Sequence, residues 1–175
     1  MIETPRLVIR QFQEADYASL FEYLSNPVVY QFEPGEPVSL QQAKELAVER
    51  AHRTDFWAVV RKDDQKMVGH LYFKPIEPKD FLTWELGYVF NPAFHHKGYA
   101  TESAYALIRF GFAHLDIHRV VAHCHPGNIA SWRVLERLGM RREGCFRKNV
   151  FFHVAPDGSP LWMDSYEYAL LEEDI

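Results

Sequence analysis

From Thr83 to Leu138 the chain reads as strand, helix, strand, helix, and this order restricts the possible folds more than any other feature of its 175 residues. Thr83-Trp84-Glu85-Leu86-Gly87-Tyr88-Val89-Phe90 is β-prone and is closed by Asn91-Pro92. Thr101 to His114 carries apolar residues at helical spacing, Arg119 to His123 forms a second strand, and Asn128 to Leu138 a second helix, with Gly139 where a left-handed helix terminus is usual. A strand that reaches the next one through a helix returns in the same direction, so the segment predicts a parallel pair inside an α/β domain.

The flanking segments predict antiparallel pairing. Arg6 to Arg10 is a short strand, and Glu14 to Leu24 a helix with Tyr17, Leu20, Phe21 and Leu24 on one face. Asn26-Pro27 breaks that helix, and Ser39 with Gln42 three residues on caps another that ends near Arg53. Phe56 to Arg61 and Met67 to Phe73 form a hairpin over Asp63-Asp64-Gln65, and Glu143 to Phe152 with Leu161 to Leu170 a closing hairpin around Asp157-Gly158. Without a repeat, a low-complexity tract or a linker, residues 1–175 are expected to form a single domain, and a hydrophobic content of 47% is enough for one core.

Charge and cysteine usage exclude other classes. A net charge of -5 opposes binding to a phosphate backbone, so no nucleic-acid partner is expected. Cys124 and Cys145 are too few for a disulfide scaffold, which fits a cytoplasmic setting. No run approaches the ~20 apolar residues needed to cross a bilayer, and no apolar signal core opens the chain, so no membrane association is expected.

The chemistry is concentrated between Phe90 and Thr101. A strand ends, a tight loop containing Gly98 follows, and a helix begins, an arrangement that aims unpaired N–H groups and a positive helix end at one point. An anion fits there. Phe94-His95-His96-Lys97-Gly98-Tyr99-Ala100-Thr101-Glu102 resembles the cofactor loop of GCN5-related N-acetyltransferases, whose pattern is Arg or Gln, two variable residues, Gly, one variable residue, then Gly or Ala. Asn128-Ile129-Ala130-Ser131, continuing to Leu138-Gly139-Met140, resembles the family's C-terminal motif. Thr4-Pro5-Arg6-Leu7-Val8-Ile9-Arg10 and Arg142-Glu143-Gly144-Cys145 resemble the subgroup that contains ribosomal-protein N-terminal acetyltransferases.

The resemblance implies a mixed, mostly antiparallel twisted sheet, splayed between two parallel central strands and flanked by about four helices, with acetyl-CoA in the cleft. By position, it assigns the pantetheine to the backbone of Tyr88, Val89 and Phe90, the pyrophosphate to His95, His96, Lys97, Gly98, Tyr99, Ala100 and Thr101, and the sulfur end to Asn128 and Ser131. By the resemblance, His95 stands where Arg or Gln is usual and His96 where Gly is usual, so a side chain occupies a place where backbone normally approaches phosphate closely; Lys97 and a partly protonated histidine would offset lost contacts.

Attack of an amine on a thioester needs a base and a stabilised oxyanion. Glu85 is the candidate base by its place in the resemblance; the competing reading is a salt-bridged or solvent-facing strand residue. Ser131 shares a stripe with Val134, Leu135 and Leu138, so its hydroxyl should face inward while Arg133 and Arg137 point elsewhere; it either serves the leaving sulfur or bonds backbone at a helix start. The acceptor is expected to be a peptide N-terminus or a small primary amine, framed by Gln31 to Ser39 and Pro75 to Phe81 with Glu33, Glu36, Glu77 and Asp80. Tyr30, Phe32 and Trp84 are candidates to line that groove, and Phe56, Trp57, Phe73, Phe110, Phe112 and Trp132 belong to the core. His123 and His125 flank Cys124 at strand spacing, but no further ligands accompany them, and no metal is expected. A homodimer is left open. The alternative function is a non-catalytic acyl-CoA sensor.

Overall fold

The computed structural model describes all 175 residues. In chain order its elements are β1 (Ile2–Glu3), β2 (Leu7–Gln11), α1 (Tyr17–Leu24), α2 (Leu40–Ala51), β3 (Phe56–Arg61), β4 (Met67–Pro75), β5 (Thr83–Phe90), α3 (Tyr99–His114), β6 (Arg119–Cys124), α4 (Ile129–Arg137), β7 (Arg141–Val150) and β8 (Met163–Leu171). The eight strands make one sheet in the order β1-β2-β3-β4-β5-β6-β8-β7. All neighbours are antiparallel except β5 and β6, the pair joined through α3.

Side-chain alternation explains the layers. Along β3, Trp57 and Val59 enter one cluster with Leu107 and Ile108 of α3 and Val134, Leu135 and Leu138 of α4. Ala58 and Val60 enter a second cluster with Leu20, Tyr23 and Leu24 of α1 and Ala43 and Ala47 of α2. Helices therefore cover both faces, and β3 is apolar at nearly every position, as a strand covered on both sides must be.

Local chemistry sets the boundaries. The Ser39 side chain accepts from Gln42 N while Gln42 reaches back to Ser39 N, the reciprocal cap expected of that spacing. Gly139 ends α4 at φ 83°. The helix expected over Glu14 to Leu24 opens instead with a 3-10 turn, Glu14–Asp16, where Asp16 pairs with Arg10 and accepts from Gln13 N. α3 starts two residues before its expected Thr101, because Gly98 takes a left-handed conformation and caps it. No helix is long and apolar enough to cross a membrane.

Candidate active site

The cleft follows from how little of β5 pairs with β6. The parallel register holds only for Thr83↔Arg119, Trp84↔Val120 and Glu85↔Val121, and beyond Glu85 the strands part. β5 stays paired with β4 as far as Phe90. Asn91 N donates to Val68 O and Ile76 N donates to Thr83 O, so the odd-numbered residues of β5 bond toward β4. By the alternation of antiparallel ladders, Leu86, Tyr88 and Phe90 turn their N–H and C=O groups to the opened side. Val89 bonds the other way, and its side chain joins the cluster on the α1–α2 face. One open-side acceptor is engaged: His95 Nε2 donates to the Phe90 carbonyl at 3.0 Å.

The open edge runs into the loop before α3. Buried Asn91 caps the turn Pro92–Phe94 through Ala93 N and ties it to Glu22. His96 has φ 61° and Gly98 φ 79°, two left-handed residues that curl the chain so that successive N–H groups point the same way. From His96 through Thr101 no backbone N–H finds a protein acceptor; the first is Glu102 N, which donates to Gly98 O. Glu102 then anchors the loop to the chain start, accepting from Thr4 Oγ1 at 2.6 Å and from Arg6 Nε at 2.7 Å, while an Arg6 guanidinium N–H donates to the Lys97 carbonyl at 3.0 Å. Thr4-Pro5-Arg6 is thus a brace for the loop, a role its sequence did not reveal.

Beside this loop lies a cavity of ~670 Å³, walled by Tyr88 to Phe90, His95, His96, Gly98 to Thr101, Asn128 and Ser131. Arg133 and Arg137 also line it, contrary to their expected outward direction. The helix stripe holds for Val134, Leu135 and Leu138, which are buried. The long arginine stems, however, reach round α4 to the rim, and Arg137 Nε meets Thr101 Oγ1 at 3.4 Å.

At the other end of the cavity, Asn128 caps α4, its Oδ1 accepting from Ser131 N at 3.2 Å. The Tyr88 hydroxyl donates to the Ser131 carbonyl at 2.9 Å and lies 3.0 Å from Ser131 Oγ. Burial pushes the Tyr88 phenol above its ordinary pKa. From sequence only the backbone of Tyr88 was expected to matter; strand alternation puts its ring on the α4 face, where Trp84, Leu86 and Phe90 also pack.

A second cavity of ~330 Å³ adjoins the first and contains Glu85, His123, Cys124, His125, Asn149 and Asp164. Phe32, Glu33, Asn128 and Ser131 line both. Glu85 is half-buried, and its carboxylate meets His123 Nδ1 at 3.3 Å, while His123 Nε2 meets Glu167 at 3.0 Å. The hydrogen bond to His123 lowers the Glu85 pKa, and the same bond raises that of His123. Glu33 has no such partner, and burial alone pushes its pKa up to about 7.

His123, Cys124 and His125 diverge: His123 lies between carboxylates, Cys124 enters the core with its pKa pushed up to about 11 by burial, and His125 stacks on Phe32 and accepts from Gly127 N. Two expectations need correction. Pro75 to Phe81 lines neither cavity, because it connects β4 to the end of β5 that is still paired, opposite the opening. Of the expected groove aromatics only Phe32 lines a cavity; Trp84 packs on Phe73 in the core, and Tyr30 donates its hydroxyl to the Leu24 carbonyl.

These features agree with comparison to known proteins. Residues 6–141 match the model of the acetyltransferase (GNAT) domain. Over 174 residues the chain is 37% identical to the uncharacterised N-acetyltransferase YnaD of Bacillus subtilis, covering 99% of this chain and 98% of that protein. It is 27% identical to the ribosomal protein uS5-alanine N-acetyltransferase of Escherichia coli, over 99% and 91% of the two chains. A GNAT-family acetyltransferase structure from Bacillus anthracis superposes with a TM-score of 0.88 at 35% identity, over 98% of both chains. The splayed sheet, the unpaired amides before α3 and these matches together show that the chain belongs to the GNAT family of acetyltransferases.

Proposed function

We propose that the protein transfers the acetyl group of acetyl-CoA to a primary amine, a peptide N-terminus or a small amine, by direct attack in a ternary complex. The observation that carries this reading is the open edge of β5 leading into the unsatisfied amides of His96 to Thr101. A pantetheine arm carries amides that can pair with Tyr88 and Phe90 as an added strand would, and a diphosphate suits the converging N–H groups and the end of α3. Lys97, Arg133 and Arg137 add positive charge around that point. His95 must share or release the Phe90 carbonyl when an amide arrives, which gives this histidine a gating position.

At the sulfur end, the Ser131 hydroxyl would hydrogen-bond the departing thiolate, a role supported by its contact with the Tyr88 hydroxyl at 3.0 Å. Glu85, held ionised by His123, makes the smaller cavity attractive to a cationic amine. An α-amino group, with a reference pKa near ~8, gives up its proton more readily than a lysine side chain near ~10.4. That difference favours a chain terminus, and the relative from Escherichia coli is named for an alanine of a ribosomal protein.

Two measurements test the proposal. Calorimetry should show CoA binding with a Kd in the micromolar range, and free thiol should appear when acetyl-CoA is mixed with peptides beginning in alanine or serine, or with small amines. No heat at millimolar CoA would remove the reading. Stabilisation by CoA with no thiol released on any acceptor would instead identify a sensor.

A further inference from the structure

The four residues shared by the two cavities mark where a thioester held in the larger one would meet an amine entering through the smaller. Asn128 is committed to capping α4, Ser131 to its contact with Tyr88, and Phe32 to stacking on His125. Glu33 is the remaining member and the only ionisable one. It follows the turn Pro27–Gln31, which His153 Nε2 ties to the closing hairpin by donating to the Tyr30 carbonyl at 3.0 Å. The segment that carries Glu33 is therefore clamped over the cleft.

We propose that Glu33 takes the proton from the acceptor amine, which reaches the thioester through the smaller cavity. The inference rests on the acetyl-transfer reading of the cleft. Its physical basis is the contrast between two carboxylates. Glu85 is hydrogen-bonded to His123, which stabilises its charge and makes it a poor proton acceptor. Glu33 accepts no hydrogen bond and has no cation in ion-pair reach. The other ionisable groups sharing its cavities are Glu85 and Tyr88 from β5, His95, His96 and Tyr99 from the loop into α3, His123, Cys124 and His125 from β6 and the loop after it, Arg133 and Arg137 from α4, and Asp164 from β8. None bonds to it. An unpaired, desolvated carboxylate is more basic than usual, and its pKa of about 7 lies close to that of an α-amine near ~8, the condition for efficient proton transfer near neutral pH.

In this step the Glu33 carboxylate takes one proton from the incoming ammonium, and the freed lone pair attacks the carbonyl carbon, forming the N–C bond as the carbonyl π pair moves to oxygen. That pair then returns and the C–S bond breaks with its electron pair going to sulfur. The thiolate, hydrogen-bonded by Ser131, receives through solvent the second proton, which the nitrogen loses, and Glu33 returns to solvent the first.

The test compares Glu33→Gln and Glu85→Gln with the wild type, using an alanine-initiated peptide and propylamine as acceptors and thiol release as the readout. Glu33→Gln should lower kcat by about 100-fold and abolish the inflection near pH 7 in the pH–rate profile, with CoA affinity by calorimetry unchanged. Because it removes a half-buried, unpaired charge, the same variant should melt at a higher temperature than the wild type at pH 8 but not at pH 5. Activity of Glu33→Gln within threefold of wild type with the inflection intact, or loss of that inflection in Glu85→Gln alone, would overturn the proposal. Should no acceptor turn over in the wild type, the acetyl-transfer reading fails and the base role falls with it. Where an acceptor does turn over, carboxyl 13C titration of the CoA complex, with Glu33 assigned by its variant, is the independent check: a midpoint near 7 supports the base, and one below 5 refutes it.

Discussion

His96 stands where the resemblance usually has glycine, and it adopts glycine's left-handed geometry at φ 61°. For a residue with a Cβ this costs about 1 kcal/mol or more, whereas glycine would cost about 0.4–1 kcal/mol in unfolded-chain entropy. His96→Gly should therefore raise stability slightly, by about 0.5 kcal/mol, and bind CoA no more weakly than wild type; urea unfolding and calorimetry check the two halves. The motif was legible here and the strain was not, since a pattern match does not report φ. Glu33 was legible only as one acidic residue in an acidic loop. It is half-buried, and the turn before it is tied by His153, over a hundred residues away, a contact that no local spacing reveals.

At the scale of elements, the strand and helix signals of the sequence were strongest where local and tertiary demands coincide. The boundaries of β3 and β5 match those read from Phe56 to Arg61 and Thr83 to Phe90. β1 was missed because two residues have no periodicity to read; their pairing, Ile2↔Ile9 and Glu3↔Val8, exists only once β2 is in place. Gly111 in α3 illustrates the same tension. A helix-interior glycine would ordinarily gain about 1 kcal/mol on becoming alanine. Here a Cβ would come within 2.8 Å of both Ile117 and Phe73, beneath the helix. Overpacking costs about 1–3 kcal/mol, so the contact outweighs the propensity. Gly111→Ala should be destabilised by about 1 kcal/mol, seen as a lower urea midpoint with little change in helical circular dichroism.

Across the whole molecule, one sheet is joined at its centre by three residue pairs and, on the α1–α2 face, by the chain Glu85–His123–Glu167 linking β5, β6 and β8. Its pH dependence follows from both shifts. The Glu85 pKa is lowered from 4.5, so its contribution is present above that value and is lost as pH falls through the folded one. The His123 pKa is raised from 6.5, so its contribution is complete below that value and is lost as pH rises through the folded one. The network is strongest between 4.5 and 6.5. The stability difference between wild type and His123→Gln should be largest in that window and shrink toward about pH 9, as followed by urea midpoints.

On the proposed reading, the arm of the cofactor would add itself to the sheet and have to be unzipped once per catalytic cycle. The bare edge runs only from Leu86 to Phe90, so such a ribbon would be short and would peel away quickly, leaving product release little to wait for.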